Sequence, residues 1–352
     1  MSAKSNTKGD TVKKRSAKIA KAKDVQPTIT RGFKGFDKDL RCRGFQFEPG
    51  KTFTEECDPK LCERGFHFCE YPLDVFNYYP PAGSRFCMVE TPCASPQADG
   101  DTKRVTKTLT IGAEIDIAGL VKAAFEYTWT RTTLEPGNSA SGVRGAAQAS
   151  GVRGAAQASG DQGAAQTSGD QGAAQASGHQ GAAQASGDQG AAQTSGYQGA
   201  AQTSGYQGAA QTSGYQGAAQ ASGYQGAAQA SGVRGAAQAS GHQGAAQASG
   251  DQGAAQASGY QGAAQASGYQ GAAQASGVRG AAQASGEYSV ALAAGYEARA
   301  KGKLGCAICC VERGDWQTGK ILAVNAAIVD GETIKADTWY TLRGGEFVEV
   351  AA

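Results

Sequence analysis

Long apolar runs are missing from this 352-residue chain. None approaches the roughly 18 residues that a membrane-spanning helix needs, so no membrane partner is expected. The first residues also lack the apolar stretch of a secretory signal, so export by that route is not expected. Phosphate loops, nucleophile elbows and HExxH patterns are absent, which removes the commonest catalytic signatures. Net charge is small, with 33 Lys and Arg against 31 Asp and Glu. The nine cysteines are odd in number and unevenly clustered, which favours free thiols in a reducing cytosol over a disulfide framework.

What is present is repetition. From Ser141 to Ala284 one nine-residue unit, Ser-Gly-x-x-Gly-Ala-Ala-Gln-(Ala/Thr), is written sixteen times. A unit this short encloses no core and gains burial only by stacking on its neighbours. Two glycines per unit argue against helix, at about 1 kcal/mol each relative to Ala. Ser-Gly-x-x-Gly is turn chemistry and Gly-Ala-Ala-Gln-Ala a short strand. Two units per coil give eighteen residues, two strands and two turns. At ~4.8 Å per coil, eight coils form a regular rod on the order of 38 Å long. The competing reading is a flexible Gly/Ser-type linker, against which the strict register stands.

Alternation leaves two choices for the interior: the first Ala with Gln, or the second Ala with the final Ala/Thr. Val290 and Leu292 occupy the first-Ala and Gln places of a degenerate unit. This favours an interior of Ala with a stacked Gln ladder. The two variable positions fall on the turns and face outward. Tyr fills six of the first ones: Tyr197, Tyr206, Tyr215, Tyr224, Tyr260 and Tyr269. With two units per coil, Tyr197 stacks with Tyr215 along one edge and Tyr206 with Tyr224 along the other. Such ladders could bind a glycan, nucleic-acid bases or protein, or merely cover the turns. His179 and His242 share those turns. Asp in only four units excludes a calcium nonapeptide, Thr at only Thr167, Thr194, Thr203 and Thr212 excludes an ice-binding array, and balanced charge excludes a nucleic-acid mimic.

The flanks divide the chain further. Residues 1–26 form a basic tail, expected to be disordered and able to touch nucleic acid or an acidic partner by charge. Residues 27–135 form an α+β head. Gly44-Phe45-Gln46-Phe47 and Gly65-Phe66-His67-Phe68 alternate like half-buried strands, and Gly32-Phe33-Lys34-Gly35-Phe36 does so less regularly. Further expectations are a short Pro-started helix over 72–79, strands at 85–90 and 105–111, a polar loop at 97–101, and a helix over 115–127. The solenoid spans 136–302, with two decaying units at its end. Residues 303–352 then read as an antiparallel β cap, in which Cys306, Cys309 and Cys310 are core. The fold class is therefore mainly β. One cluster has metal-ligand types, Cys57, Cys62, His67 and Cys69, which zinc would accept. It lacks the usual close Cys pair, so buried free thiols are the plainer reading and no cofactor is required.

Two resemblances rest on particular residues. Tyr288-Ser289-Val290-Ala291-Leu292 with Ala298-Arg299-Ala300-Lys301-Gly302 is similar to the head repeats of trimeric autotransporter adhesins, left-handed β-rolls. It departs in lacking a glycine after Leu292, and it implies a homo-oligomer, a trimer. The Gly-Phe-Gln-Phe and Gly-Phe-His-Phe-Cys-Glu segments with Pro72-Leu73-Asp74-Val75, joined to the array, resemble phage and prophage proteins of unknown function. That implies a place in the host cytosol or the virion. The Gly-Phe-His-Phe strand followed by a helix also resembles, faintly, one piece of ADP-ribosyltransferase-like folds, without a complete triad. The expected function is a non-enzymatic phage structural or interaction protein whose solenoid meets a protein or glycan partner. The alternative is an effector or anti-defence protein with an enzymatic or metal-binding head and the solenoid as spacer.

Overall fold

A computed structural model describes residues 29–351, apart from 57, 61, 62, 82, 93–100 and 132–137. The basic tail through residue 26, most of the loop at 97–101, Cys57 and Cys62 lie outside the described residues. No described helix is long and apolar enough to cross a membrane.

The array coils as the spacing predicts, two units per turn. Each strand pairs in parallel with the one eighteen residues on, as Ala164 with Ala182 and Ala173 with Ala191. Strands of alternate units therefore build two sheets, one of eleven strands and one of twelve. Backbone amides bond from coil to coil, as Ala218 N–H to Gly199 O at 2.9 Å. That satisfies the polar groups of a chain with little else to bury.

The interior corrects one expectation. The second Ala and the final Ala or Thr point inward, and Ala156, Ala158, Ala228 and Ala230 are fully buried. Gln points outward along both sheets, and Val290, expected inside, is 42% exposed. The physical reason is cost. A Gln amide between walls this close would lose water, whereas outside it hydrogen-bonds along its own column, as Gln193 to Gln211 at 3.2 Å.

The four threonines inside carry the remaining polar cost. Thr167, Thr194, Thr203 and Thr212 are fully buried, and their hydroxyls have no hydrogen-bond partner. Replacing Thr203 with Val, which keeps the shape and removes the hydroxyl, should raise stability by about 1 kcal/mol. Urea unfolding measures this, and a loss of stability would mean that the hydroxyl is bonded.

Turn geometry changes near the C-terminal end. Through Gln252 the second turn residue donates its N–H back, here to Val233 O at 2.7 Å. At Gln261, Gln270 and Arg279 it donates forward, as Gln261 to Val278 O at 2.8 Å, and from Gln261 through Glu297 it takes φ of +51 to +60°. The flip needs left-handed backbone at Gln261, Gln270, Arg279, Tyr288 and Glu297.

The rungs do not stop at residue 302. Ala307–Arg313 adds a parallel strand to the eleven-stranded sheet, and Ile321–Ile328 closes it antiparallel. Trp339–Arg343 pairs antiparallel with Arg299–Gly302 in the other sheet, followed by Glu346–Val350 after the Gly344-Gly345 turn. The cap thus continues both sheets. Cys306 and Cys310 are buried in it, and Cys309 is half-buried.

The head is a six-stranded antiparallel sheet with one long helix. Its strands are β1 (Thr30–Phe36), β4 (Thr52–Thr54), β5 (Phe66–Cys69), β6 (Arg85–Thr91), β7 (Lys103–Thr106) and β8 (Thr108–Ile115), in the order β4-β8-β6-β1-β5-β7. A two-residue pair, β2 (Arg41–Cys42) and β3 (Phe45–Gln46), stands apart. The irregular Gly32–Phe36 run is part of one of the longest head strands, while Phe45-Gln46 makes one of the shortest. Register against β6 decides this: all seven residues of β1 find partners there. Pro72–Asn77 is a 3-10 helix, and α1 spans Ile117–Arg131.

The head does not sit at the tip of the rod. It folds back along the rod and lays α1 and the 3-10 helix across the outer face of the twelve-stranded sheet. Leu73, Val75, Phe76, Ile117, Leu120, Val121 and Ala124 pack on Ala209, Ala227, Ala245 and Ala263. These are first-Ala positions. On the eleven-stranded sheet the same position is open to solvent, as at Ala182, Ala200 and Ala218.

Candidate binding surfaces on the solenoid edges and in the head

Where the head meets the rod, a buried polar relay joins the two. Asp74 of the 3-10 helix is fully buried. One of its oxygens accepts from the Thr102 N–H and hydroxyl, the other from the Gln207 amide. Gln207 also donates to Gln225 at 2.9 Å, and Gln225 donates to Asn77 at 2.7 Å. Tyr71 O–H reaches Gln207 O at 3.0 Å. Burial pushes the Asp74 carboxyl above its usual range, opposed by the Thr102 and Gln207 bonds. Gln207 and Gln225 are turn residues expected to face outward; the head has enclosed them, at 4% and 0% exposure.

The rest of the turns stay open. Along one edge His179, Tyr197 and Tyr215 stack at 5.1 and 5.0 Å. Along the other, Tyr206, Tyr224, His242 and Tyr260 stack at 5.1, 4.7 and 4.8 Å. These spacings follow the rung repeat, so the backbone sets the ring files. Tyr269 sits apart, edge-on to Tyr288 at 5.5 Å. All six predicted tyrosines are exposed. A second file runs beside them: Gln162, Gln180, Gln198 and Gln216 bond in series at 3.1, 3.0 and 2.9 Å.

The head holds a cavity of about 530 Å³. It opens where β1 and β5, paired at Phe33–Cys69, part. Lys34, His67, Cys69, Lys103 and Tyr79 line it, with Phe45 and Tyr78 half-exposed beside them. Lys34 is 5% exposed and donates to His67 O at 2.8 Å and toward the Cys42 thiol at 3.5 Å. Its ammonium lies 5.4 Å from the Phe47 ring centre. Burial, assisted by the Lys103, Lys34 and Arg43 charges, holds His67 down at about 4, so the ring is neutral near pH 7. Burial pushes the Cys69 thiol well up, so it is no thiolate.

Of the four predicted zinc ligands, His67 and Cys69 lie two residues apart on β5, and Cys57 and Cys62 fall outside the described residues. Among the described residues no group of three metal-ligating side chains comes together. Sequence reasoning found His67 but missed Lys34. The available signal was a lysine between Phe33 and Phe36 in a strand that needs both faces covered.

No curated protein and no solved structure matches the chain. Residues 30–123, the head sheet with the first part of α1, match the family described as Domain of unknown function (DUF7666).

Proposed function

We propose that this chain is a non-enzymatic binding protein whose solenoid edges meet a protein partner. The observation that supports this most is the pair of aromatic files set at rung spacing. Stacking uses up the ring faces, so sugars or bases have few faces left to stack on. Ring edges, phenol hydroxyls and the Gln file remain available, and these suit the polar and aromatic contacts of a protein interface. The head occupies one sheet face and encloses Gln207 and Gln225 on one edge, which leaves the other edge, the ring files and the opposite face for a partner.

Two parts of this reading rest on likeness alone. The head and array resemble phage and prophage proteins, which suggests a phage context in the host cytosol or virion. Residues 288–302 resemble trimeric heads, which suggests a homo-oligomer. Self-association would bury Ile321, Leu322, Val324 and Ile328, all more than half exposed on the last strand of the eleven-stranded sheet.

The test replaces Tyr197, Tyr206, Tyr215 and Tyr224 with Asp, the residue that other units carry at that position. The rod should fold with an unchanged circular dichroism spectrum. A protein cross-linked to the wild type in host lysate should be lost from the variant. Recovery of the same proteins by both would refute the reading.

A further inference from the structure

We propose that the head cavity is a binding site for a small aromatic anion of the nucleoside monophosphate class. Three observations carry it. First, Lys34 is a buried amine with no carboxylate partner among the described residues, and burial lowers its pKa; its polar neighbours are the His67 carbonyl and the Cys42 thiol. A buried ammonium so placed is costly, and an anion in the cavity offsets that cost. Second, the charge of the lining is lopsided. Lys34, Lys103, Arg43 and Arg64 face the space together with Glu55 and Glu63, and Glu63 is already paired with Lys60 at 2.6 Å. Arg43 and Arg64 stand exposed at the rim with no ion pair among the described residues. Two guanidinium forks at a mouth above a buried ammonium suit phosphate or carboxylate oxygens.

Third, the walls are aromatic. Phe45 is 45% exposed and Tyr78 44%, with Lys103 lying 4.2 Å over the Tyr78 ring. Exposed rings beside cations leave a flat apolar surface for a ligand ring. A volume of about 530 Å³ lies within the usual range for small-molecule sites. Neutral His67 adds no repulsion.

The experiment is calorimetric titration of the full chain with AMP, GMP, CMP and UMP, each beside its nucleoside, and with inorganic phosphate alone. At least one monophosphate should bind, its nucleoside and free phosphate about ten-fold more weakly or worse, and added salt should weaken it. The rim variant Arg43→Gln/Arg64→Gln, at exposed positions, should keep the wild-type melting temperature and lose about ten-fold in affinity. Lys34→Met should lose binding more severely. Should Lys34→Met fail to fold, the rim variant still decides. Absence of binding by all four monophosphates overturns the proposal, as does equal affinity of wild type and rim variant. Binding of phosphate alone, as tight as any monophosphate, would overturn the aromatic part. None of these outcomes depends on the edge tyrosines.

Discussion

Ala227→Glu should unfold or detach the head, while Ala218→Glu should leave the protein almost unchanged. The two alanines have the same local sequence, Gln-Gly-Ala-Ala-Gln. Ala227 is fully buried beneath the 3-10 helix and α1, and Ala218 is exposed on the opposite sheet. A carboxylate at 227 would enter an apolar layer of Leu73, Leu120 and Val121 with no cation to pair with. An unpaired buried charge costs about 3–5 kcal/mol. At 218 the same side chain projects into water, and the change should lie within about 0.5 kcal/mol. Denaturant unfolding, with proteolysis to report the head, measures both. Equal effects would mean that the head does not rest on this sheet.

Gly214→Ala should destabilise the rod by more than about 3 kcal/mol, whereas Gly142→Ala should be nearly silent. Both glycines follow Ser at the start of a unit. A Cβ at Gly214 would overlap the carbonyl oxygen of Gly196 in the coil before, and backbone on both sides leaves nothing flexible to move aside. A Cβ at Gly142, in the first coil, meets nothing within 4 Å. The repeated glycine is thus demanded by coil-to-coil approach, and the demand begins only when a coil lies beneath. Thermal unfolding of the two variants separates these cases. A mild effect at Gly214 would mean that the rungs are spaced more widely than described.

These two comparisons show how much was legible. The nine-residue period, the turn chemistry and the alternation of small residues determine the coil, its eighteen-residue register and the ring files, because each depends only on neighbours at fixed separation. The helix expected over 115–127 stands at 117–131, and its buried stripe of Ile117, Leu120, Val121 and Ala124 follows from local spacing in the same way. Parity was not legible. Ala and Gln alternate with Ala and Ala/Thr, and Val290 and Leu292 pointed to the wrong side because they follow the outward parity of the whole array, which leaves Val290 exposed and Leu292 half-buried. His67 stood out by residue type, but the cavity around it needs β1 and β5 to part, which is a matter of long-range register.

By itself, then, the sequence determined the rod: any chain with this period must stack eighteen-residue coils with tiny side chains between two walls. Only the tertiary structure decided which wall the head covers and which alanines are buried twice over. The same holds for the two glutamines, Gln207 and Gln225, that keep their places in an edge file and also meet Asp74 and Asn77. The physical reason is that sixteen near-identical units offer the head near-identical landing sites. The choice between them rests on contacts such as Asp74 with Gln207, separated by 133 residues, which no local pattern records.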